Sequence, residues 1–249
     1  MWLFFKREIL WFLQVNRLKI IGLGILLLLV IIVNVVNIKN ASGSIADVFL
    51  VFLQPETGAG NPITNNLNWI IIQSLPVFLF GSYFYTELFM VEEFITIRFN
   101  NRILPFLSKV LLIVLLMLVY YLVILGLVVL ISLLIGIRFN FQSTILYTGL
   151  NMPLPEIGFY FFVGGIALIA LQLLLSVIIK PFYSIVVVLV IIIINCFTLN
   201  YWNIGSSSNV VKFVEADNWL IIGIQFVYII LAMFIGGNIY RKTDLYKLN

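Results

Sequence analysis

The sequence predicts an all-α, polytopic membrane protein with six transmembrane helices in a single domain, residues 1–249. Three observations lead to this fold class. Of the 249 residues, 63% are hydrophobic and only 10% are charged, whereas soluble domains are about 25% charged. The mean hydropathy is +1.18. The apolar residues also form six long runs, and each run can cross about 30 Å of hydrocarbon as a helix.

The composition excludes several functional classes. The chain contains no histidine, so His-based acid–base chemistry, Ser-His-Asp triads and His-ligated metal sites are not expected. The single cysteine, Cys196, lies in an apolar run and is interpreted as a buried, inert thiol. The net charge of +4 includes no basic block typical of a nucleic-acid-binding surface. The chain is therefore expected to be neither an enzyme by itself nor a nucleic-acid-binding protein.

The first segment, residues 1–18, predicts an interfacial helix. Its cations and one glutamine share one arc of a helical wheel: Lys6, Arg7, Gln14 and Arg17. Apolar and aromatic side chains cover most of the remaining surface, although Glu8 falls among them. This pattern favours a helix that lies on the membrane with its aromatic residues inward. The alternative is that the segment simply extends the first span.

Six apolar runs follow and predict the spans. They cover residues 19–38, 67–89, 109–136, 157–179, 181–200 and 219–239. The third run is the longest and predicts a helix that tilts or projects beyond the bilayer. Only Lys180-Pro181 separates the fourth and fifth runs, which indicates either a tight turn or one long, kinked stretch. The count of six spans depends on the tight turn.

The basic residues predict the orientation. With a cytoplasmic N-terminus, eleven of the fourteen Lys and Arg residues lie inside, and only Lys39, Arg138 and Lys212 lie outside. Both termini are therefore expected to be cytoplasmic. Two short outer segments, near 47–55 and 210–216, are apolar or amphipathic but too short to span. They are interpreted either as caps over a cavity between helices or as ordinary surface loops.

Polar residues within the predicted spans are neutral. Ionisable residues occur only near the span ends, where side chains such as Lys19 and Glu87 are expected to reach the interface. The neutral residues favour hydrogen bonds between helices. The alternative interpretation is a weakly polar lining for a translocation path. The candidates for this lining are Asn34, Gln73, Gln172, Asn195 and Gln225.

The loop between the second and third spans, residues 85–108, carries the strongest functional signal. Charged side chains alternate there with large apolar ones such as Phe94 and Phe99. The candidate contact residues are Glu87, Glu92, Glu93, Arg98 and Arg102. Acids clustered with aromatics on a short element are typical of a docking surface for a partner protein. The simpler interpretation is a charged connector that obeys the positive-inside rule.

This layout, together with the stretch RFNNRILPFLSK at residues 98–109, resembles the membrane subunit of type-two ATP-binding-cassette exporters. It is similar to the small six-span permeases of bacterial peptide-antibiotic export and self-protection systems. The resemblance implies that the 85–108 loop is a coupling helix docked on an ATPase subunit. It also implies that two permease subunits, identical or homologous, pair in the bacterial cytoplasmic membrane. ATP and Mg²⁺ would then be bound by the ATPase, with no cofactor on this chain, and the expected cargo is amphipathic or lipid-like, such as an antimicrobial peptide.

Two other functions remain open at the level of sequence. One is a substrate-binding, six-span membrane subunit of an importer, which would need several convergent polar groups near its outer face. The other is a membrane assembly factor without transport activity.

Overall fold

The structure, a computed structural model, describes residues 2–53, 63, 66–87, 103–140, 154–198, 200–208 and 218–242. The longer elements in these ranges are helices. They are α1 (Trp2–Asn40), α2 (Ile45–Leu53), α3 (Leu67–Thr86), α4 (Ile103–Ile135), α5 (Leu154–Ile178), α6 (Pro181–Phe197) and α7 (Asn218–Lys242). Five of them, α1, α3, α4, α5 and α7, are long and apolar enough to cross a membrane, and α6 is a shorter apolar helix. The chain is therefore a multi-pass helical membrane protein.

The N-terminal segment continues into the first predicted span. Residues 2–40 form one uninterrupted helix of 39 residues, which agrees with the alternative that the segment extends the first span. Its position along the membrane surface stays a prediction. At 1.5 Å per residue α1 is about 58 Å long, roughly twice the thickness of the hydrocarbon core. It is therefore longer than a single crossing of a bilayer requires.

The Lys180-Pro181 dipeptide forms a tight turn between two helices. Helix α5 ends at Ile178 and α6 begins at Pro181, where a proline is well tolerated because the first helical N–H has no intrahelical partner. The Ser176 and Ser184 hydroxyls are 2.8 Å apart across this turn. The two apolar runs therefore form a helical hairpin, and the alternative of one long kinked helix is wrong.

Helix α5 lies at the centre of the bundle. It is the most buried of the five membrane-length helices and packs against α3, α4, α6 and α7. Trp69 of α3 donates to the Ser208 carbonyl, and Gly164 of α5 lies against the same residue. Further along, Gln172 of α5 donates to the Val77 carbonyl of α3. These contacts show that α3 and α5 run parallel.

The ends of α1 and α4 and the whole of α2 meet at one end of the bundle. The Lys39 ammonium donates to the Ile135 carbonyl at 2.6 Å, and the Ile45 amide donates to the Arg138 carbonyl at 3.2 Å. Ser44 caps α2 as in a capping box, since its hydroxyl accepts from the Asp47 amide at 3.4 Å and its own amide donates to the Asp47 carboxylate at 2.7 Å. Most of the 47–55 segment thus forms helix α2, whereas 210–216 lies outside the described residues.

The described cations are distributed unequally between the two ends of the bundle. Six of the ten described cations lie at the end where α1 starts and α7 finishes: Lys6, Arg7, Lys109, Lys180, Arg241 and Lys242. The opposite end, where α1 and α4 finish, carries Lys39 and Arg138. The Lys109 ammonium lies 5.9 Å from the ring centroid of Tyr240. This contact places the start of α4 and the end of α7 at the same, cation-rich end.

Candidate functional site

A group of four charged side chains and one tyrosine joins three helices at the cation-rich end of the bundle, and all of its members except Arg7 are buried. We call it the ion cluster, and it consists of Arg7, Glu8, Tyr83, Glu87 and Lys109. Glu8, Glu87 and Lys109 have fully buried side chains, whereas the Arg7 side chain is 37% exposed. Arg7 and Glu8 belong to α1, Tyr83 to α3 and Lys109 to α4, and Glu87 directly follows the last residue of α3.

The cluster is organised around two carboxylate oxygens. Glu87 Oε1 accepts hydrogen bonds from Arg7 Nη2 at 2.9 Å and from Lys109 Nζ at 3.3 Å. Glu8 Oε1 accepts from the same Arg7 nitrogen and lies 3.9 Å from Lys109 Nζ. The Tyr83 hydroxyl donates to Glu8 Oε2. Each carboxylate therefore contacts both cations.

Aromatic rings separate the cluster from the apolar core. The Phe12 ring lies 5.5 Å from the Tyr83 ring, and the Phe106 ring lies 5.5 Å from the Tyr240 ring. Phe106 in turn packs against Gly236 and Gly237 of α7, where an added Cβ would lie 3.2 to 3.3 Å from its ring. Because these two glycines have no side chains, the Phe106 ring packs directly on the backbone of α7. This contact brings α7 against α4 beside the cluster.

The two carboxylates balance the two cations. Transfer of an isolated charge into a medium of low dielectric constant costs many kcal/mol, so a buried charge is tolerated when it is paired and hydrogen-bonded. Here Glu8 and Glu87 carry two negative charges, and Arg7 and Lys109 carry two positive charges within hydrogen-bonding distance. The cluster therefore holds α1, α3 and α4 in one relative arrangement, because loss of one member leaves a partner uncompensated.

The location of the cluster corrects one sequence prediction. Glu87 was expected to reach the membrane interface, but its carboxylate is fully buried against Arg7 and Lys109. Glu8, which interrupted the apolar pattern of α1, is also buried. An acid on the apolar arc of a helix was the signal that could have identified this site. Tyr83, one turn before Glu87, carried no comparable signal.

The remaining candidate contacts of the 85–108 loop lie outside the described residues: Glu92, Glu93, Arg98 and Arg102. The structure does place the two ends of this loop. Helix α3 ends at Thr86 and α4 begins at Ile103, six residues before the predicted start of the span. The Glu87–Lys109 ion pair therefore connects the segments on either side of residues 88–102.

The five neutral candidates for a pathway lining are all buried and all contact protein groups. Asn34 pairs with Asn68 through amide hydrogen bonds of 3.0 and 3.3 Å. Gln73 accepts from the Tyr121 hydroxyl at 3.5 Å, and Gln172 donates to the Val77 carbonyl at 2.8 Å. These three residues connect helices, as interhelical hydrogen bonds do. A role in lining a path stays a prediction.

The other two neutral candidates hold a buried loop at the opposite end of the bundle. We call residues 205–208, with the sequence GSSS, the serine loop; all four residues are buried. Gln225 accepts from the Gly205 amide at 2.7 Å and donates to the Asn203 carbonyl at 3.0 Å. Asn195 donates to the Ile204 carbonyl at 2.9 Å. Gly205 has a φ of +78°, a conformation that other residues rarely adopt.

Replacement of Gln225 with leucine is expected to destabilise the protein by about 1–3 kcal/mol, because the buried Gly205 amide loses its acceptor. The free energy of unfolding, measured in mixed micelles, checks this value. Gln14→Leu is the matched control, since Gln14 is exposed on α1 and its replacement should change stability by less than about 0.5 kcal/mol. Equal effects of the two substitutions would contradict the anchoring role of Gln225.

No protein-family model, curated protein or solved structure matches the chain. The fold and the contacts of the buried side chains are therefore the observations from which a function is inferred.

Proposed function

We propose that this chain is the permease subunit of an ATP-driven exporter and that residues 88–102 dock on a separate ATPase subunit. The observation that carries the proposal is the position of the ion cluster. Glu87 directly precedes this segment, Lys109 follows it in the first turns of α4, and their side chains form a buried ion pair of 3.3 Å. Arg7 of α1 also binds the Glu87 carboxylate, so α1 is joined to the same ion pair.

This arrangement suits the transmission of force from a docked partner. A loop tied to the bundle at one end would bend when pushed and would leave the helices in place. A loop whose two flanking helices are joined by buried charges moves both helices together, because separating the charges costs several kcal/mol. A joint displacement of the ends of α3, α4 and α1 that meet at the ion cluster, relative to the rest of the bundle, is the kind of movement that a two-state transition uses.

The proposal includes a topology. Helix α6 has 17 residues and is about 25 Å long, at the lower limit for a span. Counted with the five longer helices, it gives six spans, and the cation-rich end then faces the cytoplasm. Both termini and residues 88–102 would lie on that side of a bacterial cytoplasmic membrane, where an ATPase and its ATP and Mg²⁺ are found.

The cargo and the second subunit complete the proposal. We infer an amphipathic or lipid-like cargo, with an antimicrobial peptide as the specific candidate. The supporting observation is that each of the five neutral candidates already hydrogen-bonds a protein group, which leaves fewer of their polar atoms for a strongly polar solute. A second permease subunit, identical or homologous, would pair with this one to form the pathway.

Co-purification of the ATPase tests the docking role. The permease is tagged and purified from its natural host, and the Walker-motif ATPase retained per permease is measured. We expect Glu92→Lys combined with Glu93→Lys to reduce retention at least about tenfold, because like charges would then face each other across the interface.

The chain provides a matched control for this experiment. Glu56→Lys combined with Glu215→Lys makes the same change of net charge in segments predicted to lie outside, and it should leave retention unchanged. Equal retention for both double variants, together with unchanged tolerance of cells to antimicrobial peptides, would contradict the docking role.

A further inference from the structure

Helix α3 contains a proline in its interior. Pro76 lacks a backbone N–H, so the carbonyl four residues earlier, that of Ile72, loses its normal intrahelical partner. In an apolar environment an unpaired carbonyl is costly, and another donor usually replaces the missing one. The position of this donor determines how the two halves of α3 are held together.

The replacement donor comes from α4. The Tyr120 hydroxyl donates to the Ile72 carbonyl at 2.8 Å. A second side chain binds the backbone on the other side of the proline, where Gln172 of α5 donates to the Val77 carbonyl at 2.8 Å. Two neighbouring helices thus bind the backbone of α3 within one turn of Pro76. These are side-chain hydrogen bonds, which average only about 0.6 kcal/mol in membrane proteins and can be exchanged at low cost.

The two halves of α3 have different attachments. The first half, residues 67–75, is tied to the serine loop through the 3.1 Å hydrogen bond from Trp69 to the Ser208 carbonyl. The second half, residues 77–86, carries Tyr83 and leads into Glu87, both members of the ion cluster. A displacement that enters at the ion cluster therefore reaches Pro76 before it reaches the serine loop.

We propose that Pro76 is a hinge in α3 and that the Tyr120 hydroxyl is the latch that holds the two halves of the helix in the arrangement described here. Release of the latch lets residues 77–87 rotate about Pro76 while residues 67–75 stay attached to the serine loop. The role of the hinge in transport rests on the proposed function. The hinge itself is a property of this chain alone and is tested on the purified permease without an ATPase.

The sequence offers a direct probe of the latch. Only two Ile–Gln pairs occur in the chain, Ile72–Gln73 and Ile224–Gln225. A sample labelled with carbonyl-¹³C isoleucine and ¹⁵N glutamine therefore gives two amide–carbonyl NMR correlations, one from each pair. The first reports the hydrogen bonding of the Ile72 carbonyl, and the second is an internal reference in α7.

The natural sequence, Tyr120→Phe, Pro76→Ala and the combination of the two form a double-mutant cycle, and Tyr121→Phe is a matched control. In Tyr120→Phe we expect the Ile72 carbonyl resonance to move upfield while the Ile224 resonance stays in place. In Pro76→Ala the new backbone N–H binds the Ile72 carbonyl, so adding Tyr120→Phe should no longer shift the resonance. Tyr121→Phe is the control, because the Tyr121 hydroxyl contacts the Gln73 side chain and not the backbone; it should leave the Ile72 hydrogen bond intact.

Hydrogen–deuterium exchange of residues 77–86 measures the opening of the hinge. Exchange should be about threefold faster in Tyr120→Phe than in the natural sequence, and Tyr120→Phe should have no effect in the Pro76→Ala background. An unmoved Ile72 resonance, or the same increase of exchange in both backgrounds, would overturn the latch. Because the ATPase is absent, failure of its co-purification leaves this result unaffected.

Discussion

Replacement of Lys109 with methionine is expected to destabilise the folded chain by about 3–5 kcal/mol. Methionine matches the length and apolar stem of lysine but leaves the buried carboxylates of Glu8 and Glu87 with Arg7 as their remaining cation. The Arg7 side chain is 37% exposed, so water competes for it. The free energy of unfolding in mixed micelles, followed by circular dichroism, measures the loss.

Two further variants separate charge imbalance from lost packing. Glu87→Gln combined with Lys109→Met removes one charge of each sign, and we expect it to recover about 2 kcal/mol of the loss, which is within the usual range of coupling between contacting residues. Lys19→Met removes an exposed lysine that binds the Ser82 hydroxyl and should cost less than about 1 kcal/mol. If the double variant were less stable than Lys109→Met, the ion cluster would not be held by charge balance.

The positions of the long apolar helices could be predicted from sequence because apolar runs and proline act locally. The hydrocarbon core requires long apolar helices, and the Lys180-Pro181 turn follows from the fixed φ of proline and its missing donor. The continuity of α1 could be predicted only as an alternative because aromatic residues and cations on one helix are typical both of an interfacial helix and of a span that projects into the interface.

The ion cluster could be predicted only in part. Glu87 and Lys109 flank one loop, so the sequence places them at the same end of the bundle. The contribution of Glu8 depends on which face of α1 meets α3, and its one signal in the sequence was an acid on an apolar arc. The contact of Tyr120 with Ile72 could not be predicted, because proline indicates an unpaired carbonyl but not the helix that supplies the donor.

The serine loop leads to the second prediction of large effect, at Gly164. An added Cβ at this position would lie 2.8 Å from the Ser208 backbone nitrogen and 3.1 Å from the Gly205 carbonyl oxygen. Because backbone atoms cannot rotate away as a side chain can, Gly164→Ala is expected to displace the serine loop and to cost about 1–3 kcal/mol, as overpacking does.

Gly158→Ala is the control on the same helix, since an added Cβ meets no described atom within 4 Å there. It should stabilise the chain by about 0.5–1 kcal/mol through helix propensity. Displacement of the loop also weakens the hydrogen bond from Trp69 to Ser208, so the fluorescence of the indole should change in Gly164→Ala and stay constant in Gly158→Ala. Two variants of equal stability and equal fluorescence would show that the loop does not pack against α5 as the structure describes.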